Sequence, residues 1–229
     1  MTESEVRIQA FALGDMIRDT TISDEIIMDR IKEIPELINA KLRTGMNPFV
    51  EAVNSGRLFV AKSLSDMGAD IHWTCAASQG NALNVARTPE QADEVLALGV
   101  EIEKNLLLSK PFRNPAVVAA GNNNKMMLLY WLDKQKKIFA DDEKYVEELL
   151  HETIRMVSMV NQYGTLSRII ADEELFCVLK NIYSKIDDIN SIRLYLRALR
   201  RIDDKNLEAR IKELRKILNA RKKELSAMV

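Results

Sequence analysis

Few residues in this chain are spaced for chemistry. It has two histidines, His72 and His151, and two cysteines, Cys75 and Cys177, far apart in sequence. A zinc site needs Cys and His at short, repeated spacings, and none occurs. There is no Cys-x-x-Cys, no P-loop and no Gly-x-Gly-x-x-Gly, so dithiol redox and phosphate-cradle chemistry have no motif to rest on. The carboxylate pairs Asp141-Asp142 and Asp203-Asp204 stand where helices are expected to start. There they complement a helix N-terminus rather than work as acid and base. A nucleophilic cysteine needs a poised partner, and neither cysteine has one nearby in sequence. An enzyme site would have to be drawn from Tyr145, His151, Glu152, Asn161 and Tyr163. It would need a deep pocket that joins them and perturbs their pKa values. No catalytic residue, metal ligand set or cofactor is expected.

Stepping outward to the elements, composition favours helices. Of 229 residues 47% are hydrophobic, yet only eight are Gly, five Pro and 6% aromatic. Leu, Ile, Ala, Glu, Lys and Arg dominate, which points to an all-α chain. A formal charge of −1 argues against a wholesale nucleic-acid or membrane-surface binder. The charge is uneven: acidic residues crowd 3–36, and basic ones, from Arg197 to Lys223, crowd the C-terminal stretch. These are read as solvated helix faces, with a basic docking surface at one end as the alternative. The basic residues lack interleaved aromatics and have acidic neighbours, which weighs against nucleic acid. Two cysteines make no disulfide framework, and a reducing compartment is expected. The first residues are acidic and no apolar core follows, so a secretory signal is not expected. The expected location is cytoplasmic, or outside by a route without such a signal. No stretch is apolar enough for long enough to span a bilayer.

Taken in order, apolar periodicity predicts helices over 3–18, 23–34 and 36–44. Asn47 then caps a helix with Pro48 at its first position. That helix ends near Gly56. A second apolar series, Leu58, Val60, Ala61, Leu64 and Met67, stops at Gly68, a natural left-handed cap. The segment Asn47-Pro-Phe-Val-Glu-Ala52 recurs as Asn81-Ala-Leu-Asn-Val-Ala86 and as Asn114-Pro-Ala-Val-Val-Ala119, at offsets of 34 and 33 residues. Two helices and a turn per repeat of about 33 residues is a known repeat signature.

On these residues the chain resembles the ankyrin-repeat family. The family's Thr-Pro-Leu-His-x-Ala is represented at Asn47 to Ala52, its inter-helix glycine by Gly56, and its closing Gly-Ala-Asp-hydrophobic-Asn by Gly68 to His72. The second repeat is shorter. It closes at Gly99-Val100-Glu101-Ile102, and Thr88-Pro89-Glu90-Gln91 opens its second helix as a capping box. In the third, Asn123 replaces the glycine and a helix is expected from Lys125 to about Lys134. The match covers about 35–135 and extends to about 171 if 141–161 and 166–170 make a fourth, diverged pair, with a break inside the first and a turn at Tyr163-Gly164-Thr165. Helices over 172–183, 192–202 and 204–226 follow. In the last, Leu207, Ile211, Leu214, Leu218 and Leu225 fall in heptad register with Arg221 at one seam position. That seam packs on the preceding helix, or pairs with another copy as a coiled coil and makes a homo-oligomer.

The expected architecture is therefore an all-α, ankyrin-like helical solenoid. Capping helices occupy 1–45, divergent repeats 46–171 and C-terminal helices 172–229. One repeat cannot bury its own apolar face, so repeats need neighbours or caps. The resemblance implies a module that binds a partner protein through a concave face and turn tips. Carried onto this chain, these are Asn54, Ser55, Arg87 and Asn122 on the face, and His72, Trp73, Thr74, Phe112 and Arg113 at the tips. Trp73 and Phe112 are the contact anchors, or else they tuck back between repeats. A bacterial effector gripping a host protein and an inhibitor blocking a partner enzyme are the two roles weighed first. A housekeeping scaffold is the third, and an enzyme sited in the C-terminal helices is the reading of another class.

Overall fold

Helix starts are written into the sequence as side-chain acceptors. Ser23, Asn47, Asn81, Thr88, Asn114, Asn124, Asp172 and Asp188 each accept a hydrogen bond from a backbone N–H in the first turn they precede. Each satisfies one of the orphan donors of a helix N-terminus. A computed structural model of the chain describes residues 1–75, 80–103, 113–122, 124–159 and 163–227. Among these it has thirteen α-helices, α1 to α13, and no strand. No helix among them is long and apolar enough to cross a membrane. The chain forms two compact units, Met1–Glu103 and Lys104–Val229.

In the first unit α1 (Glu3–Arg18) and α2 (Asp24–Glu33) pack on α3 (Pro48–Asn54) and α4 (Leu58–Asp66) respectively. Next come α5 (Ala82–Val85), packed on α3, and α6 (Pro89–Ala97). At seven residues α3 is too short to persist alone, and tertiary burial must hold it. Every residue from Pro48 to Val53 is buried. The α3–α4 reversal is built as expected. Gly56 has φ +74, and the N–H groups of Gly56 and Arg57 turn back to the carbonyls of Val53 and Ala52. Gly68, at φ +87, closes α4 in the same way through Ser65 and Leu64. A side chain at position 56 would also meet Gln91, whose Nε2 lies 3.2 Å from where a Cβ would stand.

The first unit departs from expectation in two places. Periodicity predicts an α-helix over 36–44, but the structure has a 3-10 helix, Pro35–Asn39, and then extended chain from Ala40. Asn39 is the last residue of that short helix. Its Oδ1 accepts the Asp70 N–H at 2.7 Å, and the Leu42 N–H goes to the Met46 carbonyl at 2.8 Å. The second departure is α5, which keeps the Asn81 cap but runs for only four residues.

The second unit contains α7 (Pro115–Gly121), α8 (Lys125–Ile138), α9 (Glu143–Met159), α10 (Tyr163–Ala171), α11 (Glu173–Lys185), α12 (Ile189–Arg200) and α13 (Glu208–Ala227). α9 touches α7, α8, α10, α11 and α12 and forms the centre of the unit. It runs unbroken where a break is expected inside 141–161, and α8 continues past Lys134 to Ile138. Tyr163-Gly164-Thr165 is the first turn of α10 rather than a connecting turn. α13 packs on α11 and α12, with Ile211, Leu214 and Leu218 buried, so the heptad seam is occupied within the unit.

Candidate partner-binding surface

The expected concave-face residues of the first unit are brought together. Asn54 ends α3, and its Oδ1 accepts from the Arg87 guanidinium at 3.3 Å across 33 residues of sequence. Arg87 is exposed and Asn54 half-buried, so the pair meets at the surface. Behind them a polar chain runs inward. Asn54 Nδ2 donates to Glu51 Oε1 at 3.4 Å, and the Thr44 hydroxyl donates to Glu51 Oε2 at 2.7 Å. Arg18 stands 3.4 Å from the same carboxylate, which is fully buried. An unpaired buried carboxylate would be costly; here the hydroxyl, the amide and the guanidinium supply what water would have. Gln91 fixes the Arg87 backbone, its Oε1 accepting the Arg87 N–H at 2.8 Å. Glu51 and Gln91 support this surface, yet nothing in a repeat pattern singles them out. Glu51 is not shared by the recurring segments, whose counterparts are Val85 and Val118.

The tip residues behave differently from one another. His72 is exposed and its N–H donates to Asp70 Oδ1 at 3.0 Å. Trp73 is half-buried and its indole N–H donates to the Gly45 carbonyl at 3.1 Å, which ties the ring to the preceding turn. The Thr74 hydroxyl donates to the His72 carbonyl at 3.4 Å. Ser55 caps the C-terminus of α3. In the second unit Asn122 is exposed at the C-cap of α7 and Arg113 is half-buried just before that helix. Phe112 lies outside the described residues.

A large side chain missed by sequence reasoning organises the edge of the first unit. Arg57 Nε donates to the Ile17 carbonyl at 2.7 Å and its Nη2 to the Ile22 carbonyl at 2.8 Å; it also bonds the Asp19 carbonyl and pairs with Asp24. One guanidinium thus caps the C-terminus of α1 and fastens the α1–α2 loop to the start of α4. Its acceptors are 33 to 40 residues away, beyond any local signal.

The enzyme candidates of the second unit do not converge. Tyr145 belongs to a buried trio. Its hydroxyl donates to Gln135 Oε1 at 2.7 Å, and Asn114 Nδ2 reaches Gln135 Oε1 at 2.7 Å and the Tyr145 oxygen at 3.2 Å. Burial pushes the Tyr145 phenol up to about 12, against the opposite pull of the Asn114 hydrogen bond. His151 stands elsewhere, with Nε2 3.1 Å from the Tyr195 hydroxyl and Nδ1 3.8 Å from Glu152 Oε1. Burial holds its imidazole below the usual histidine range, with Arg155 adding to that and the carboxylates of Glu152 and Asp187 opposing it. Glu152, largely buried, is taken up by Arg155 at 2.7 Å. Tyr183 stacks on Tyr195 at 5.3 Å. His151 lines a hollow of about 240 Å³ with Lys185, Asp187 and Ser191, but Glu152, Tyr145 and Tyr163 do not line it. Asn161 lies outside the described residues. Cys75 is buried, with Sγ 3.6 Å from the Thr44 carbonyl, and Cys177 is exposed. Among the described residues no three His, Cys, Asp or Glu side chains are grouped to hold a metal ion.

The basic C-terminal stretch has a structural use. From α13, Arg210 donates to the carbonyls of Ile170 and Ala171 at the end of α10, Arg215 to Leu199 at the end of α12, and Arg221 to Ile186 after α11. Cations at helix C-termini answer both the unpaired carbonyls and the negative end of the macrodipole. No protein-family model, curated protein or solved structure matches the chain.

Proposed function

We propose that this chain is a protein-binding module of ankyrin-like repeats that engages a partner through the surface centred on Asn54, Ser55 and Arg87. The observation that carries the reading is the contact between Asn54 and Arg87. These residues are 33 apart in sequence, one short of the 34-residue offset between the first two repeats, and lie side by side on the surface. In a repeat array, equivalent positions line up on one face and together make a surface wider than any single unit supplies. The buried Glu51 network holds that surface from behind, as a pre-organised interface requires.

The test is affinity capture from lysates read by quantitative mass spectrometry, with wild type beside an Asn54→Ala/Arg87→Ala variant. A protein enriched by wild type and lost with a variant of unchanged melting temperature is the expected result. Enrichment that survives the substitutions removes this surface from the reading. A captured enzyme whose activity falls on titration with the chain marks an inhibitor; a captured host protein marks an effector.

A second reading, an enzyme with its site in the second unit, draws on His151 beside the hollow of about 240 Å³. It has the weaker support, because one ring nitrogen is already engaged by Tyr195 and Glu152 is already engaged by Arg155.

A further inference from the structure

The first unit carries a second feature that the repeat surface does not use. A groove of about 520 Å³ runs between α1 and the extended segment after the 3-10 helix. Its floor is apolar, from Val6, Ala10 and Leu42 together with the Phe11 ring. Its rim carries three cations, Arg7, Lys41 and Arg43. The Arg7 and Arg43 guanidinium carbons stand 5.4 and 5.3 Å from the Phe11 ring centroid, so one aromatic ring orients both. Among the described residues none of the three cations makes a side-chain ion pair or hydrogen bond. Arg18, Arg30 and Arg57 of the same unit all do.

We propose that this groove receives an acidic, apolar peptide segment of the partner protein, with the segment's carboxylates on Arg7 and Arg43 and its apolar side chains on the floor. The inference rests on the protein-binding reading and adds a contact whose chemistry is defined. A guanidinium presents a planar fork of donors matched to a carboxylate, and one already stacked on a ring loses less freedom on pairing. The floor calls for apolar side chains, which a free anion lacks. The carboxylates of Glu3 and Glu36 line the same groove, leaving three cations against two anions. That balance suits a segment with one or two carboxylates placed between them and disfavours a polyanion such as nucleic acid, whose phosphates would meet those acids. The size falls in the range of pre-formed ligand clefts, about 300–1,000 Å³.

Short random peptides displayed on phage are selected against the full chain, and the enriched sequences are resynthesised with a fluorophore for anisotropy titration. The expected peptides combine Asp or Glu with Leu, Ile, Val or Phe. They lose at least about tenfold in affinity on Arg7→Gln/Arg43→Gln, the loss expected for a missing charge-assisted pair. They weaken further with Lys41→Gln and with added salt. All three side chains are exposed, so these variants should melt as wild type does. Selected peptides that lack acidic residues, or that bind the double variant equally, overturn the proposal, and so does a selection that yields no binder. Peptides lost only with Asn54→Ala/Arg87→Ala overturn the groove while leaving the repeat surface standing, so the two readings fail separately.

Discussion

Asn47 in the first unit and Asn114 in the second do the same local work with different support. Each precedes a proline-started helix, each is buried, and each accepts a backbone N–H of the first turn, from Val50 and Ala116 respectively. Their amide nitrogens then part ways. Asn47 Nδ2 donates at 2.8 Å to the backbone carbonyl of Asp70, an exposed residue in the turn closing the same helix pair. Asn114 Nδ2 donates to two side chains, Gln135 and Tyr145, in a trio shut away from water. In one unit a local motif ends on backbone, which any sequence supplies. In the other it ends on two particular side chains from α8 and α9, and the motif and the core become one structure.

The contrast sets the order of expected effects. Asn114→Ala removes a cap and strands two buried polar groups, at a cost of about 3 kcal/mol. Asn47→Ala removes a cap and leaves a carbonyl that water can reach, at about 1.5 kcal/mol. The chain has two tryptophans, Trp73 in the first unit and Trp131 in the second, so urea unfolding by fluorescence in Trp131→Phe and Trp73→Phe backgrounds reads each unit alone. Equal costs for the two asparagines would erase the distinction.

The arginines provide a second test of the comparison. Arg57, whose side chain is 12% exposed, bonds three carbonyls and Asp24. Arg210, at 28%, bonds two carbonyls and the exposed Glu173. Arg57→Met is expected to cost about 2 kcal/mol and Arg210→Met about 1 kcal/mol by the same fluorescence assay. Equal costs would mean that Arg210 closes its unit as tightly as Arg57 closes the first.

The smallest effect is a pH dependence confined to the second unit. Burial lowers the His151 pKa in the folded chain below its unfolded value near 6.5. The unfolded state therefore binds the proton more tightly, and stability falls as pH drops through about 6.5 towards the folded pKa, where the loss levels off. Between pH 7.5 and 5.5 the second unit should lose melting temperature, and His151→Gln should flatten that slope. Glu152, Arg155, Asp187 and Tyr195 act on the ring, and Glu147, Glu148, Lys185 and Asp188 line the same hollow. A slope unchanged in the variant assigns the effect elsewhere.

What could be read in advance divides along the same line. The Asn47 cap, the left-handed Gly56 and Gly68, and the helices α1 to α4 follow from short-range rules, and they stand where those rules put them. The stretch 36–44 has helical apolar spacing, yet Asn39 Oδ1 is taken by the Asp70 N–H, a partner 31 residues away, and the chain is extended from Ala40. Tyr163-Gly164-Thr165 has turn-forming composition, yet it opens α10. On the proposed surface Asn54 and Arg87 are what the family resemblance implies, Asn54 by its place before Gly56 and Arg87 as a looser equivalent in the second repeat. Glu51 and Gln91 are not implied by it, because their importance lies in what they touch. The basic run of α13 looked like solvated charge or a docking face, and periodicity alone cannot assign Arg210, Arg215 and Arg221 to the ends of three other helices.

That last arrangement bears on how the second unit is made. Synthesis delivers α10, α11 and α12 before α13, so each leaves the ribosome with terminal carbonyls uncapped, and α11 and α12 also lack the helix that packs on them. A nascent chain halted before Glu208 should stay open to proteases and recruit holdase chaperones. One released past Arg221 should close in a single late step, as one helix delivers three caps and a buried seam together. Assembly of this unit is then expected to wait for α13.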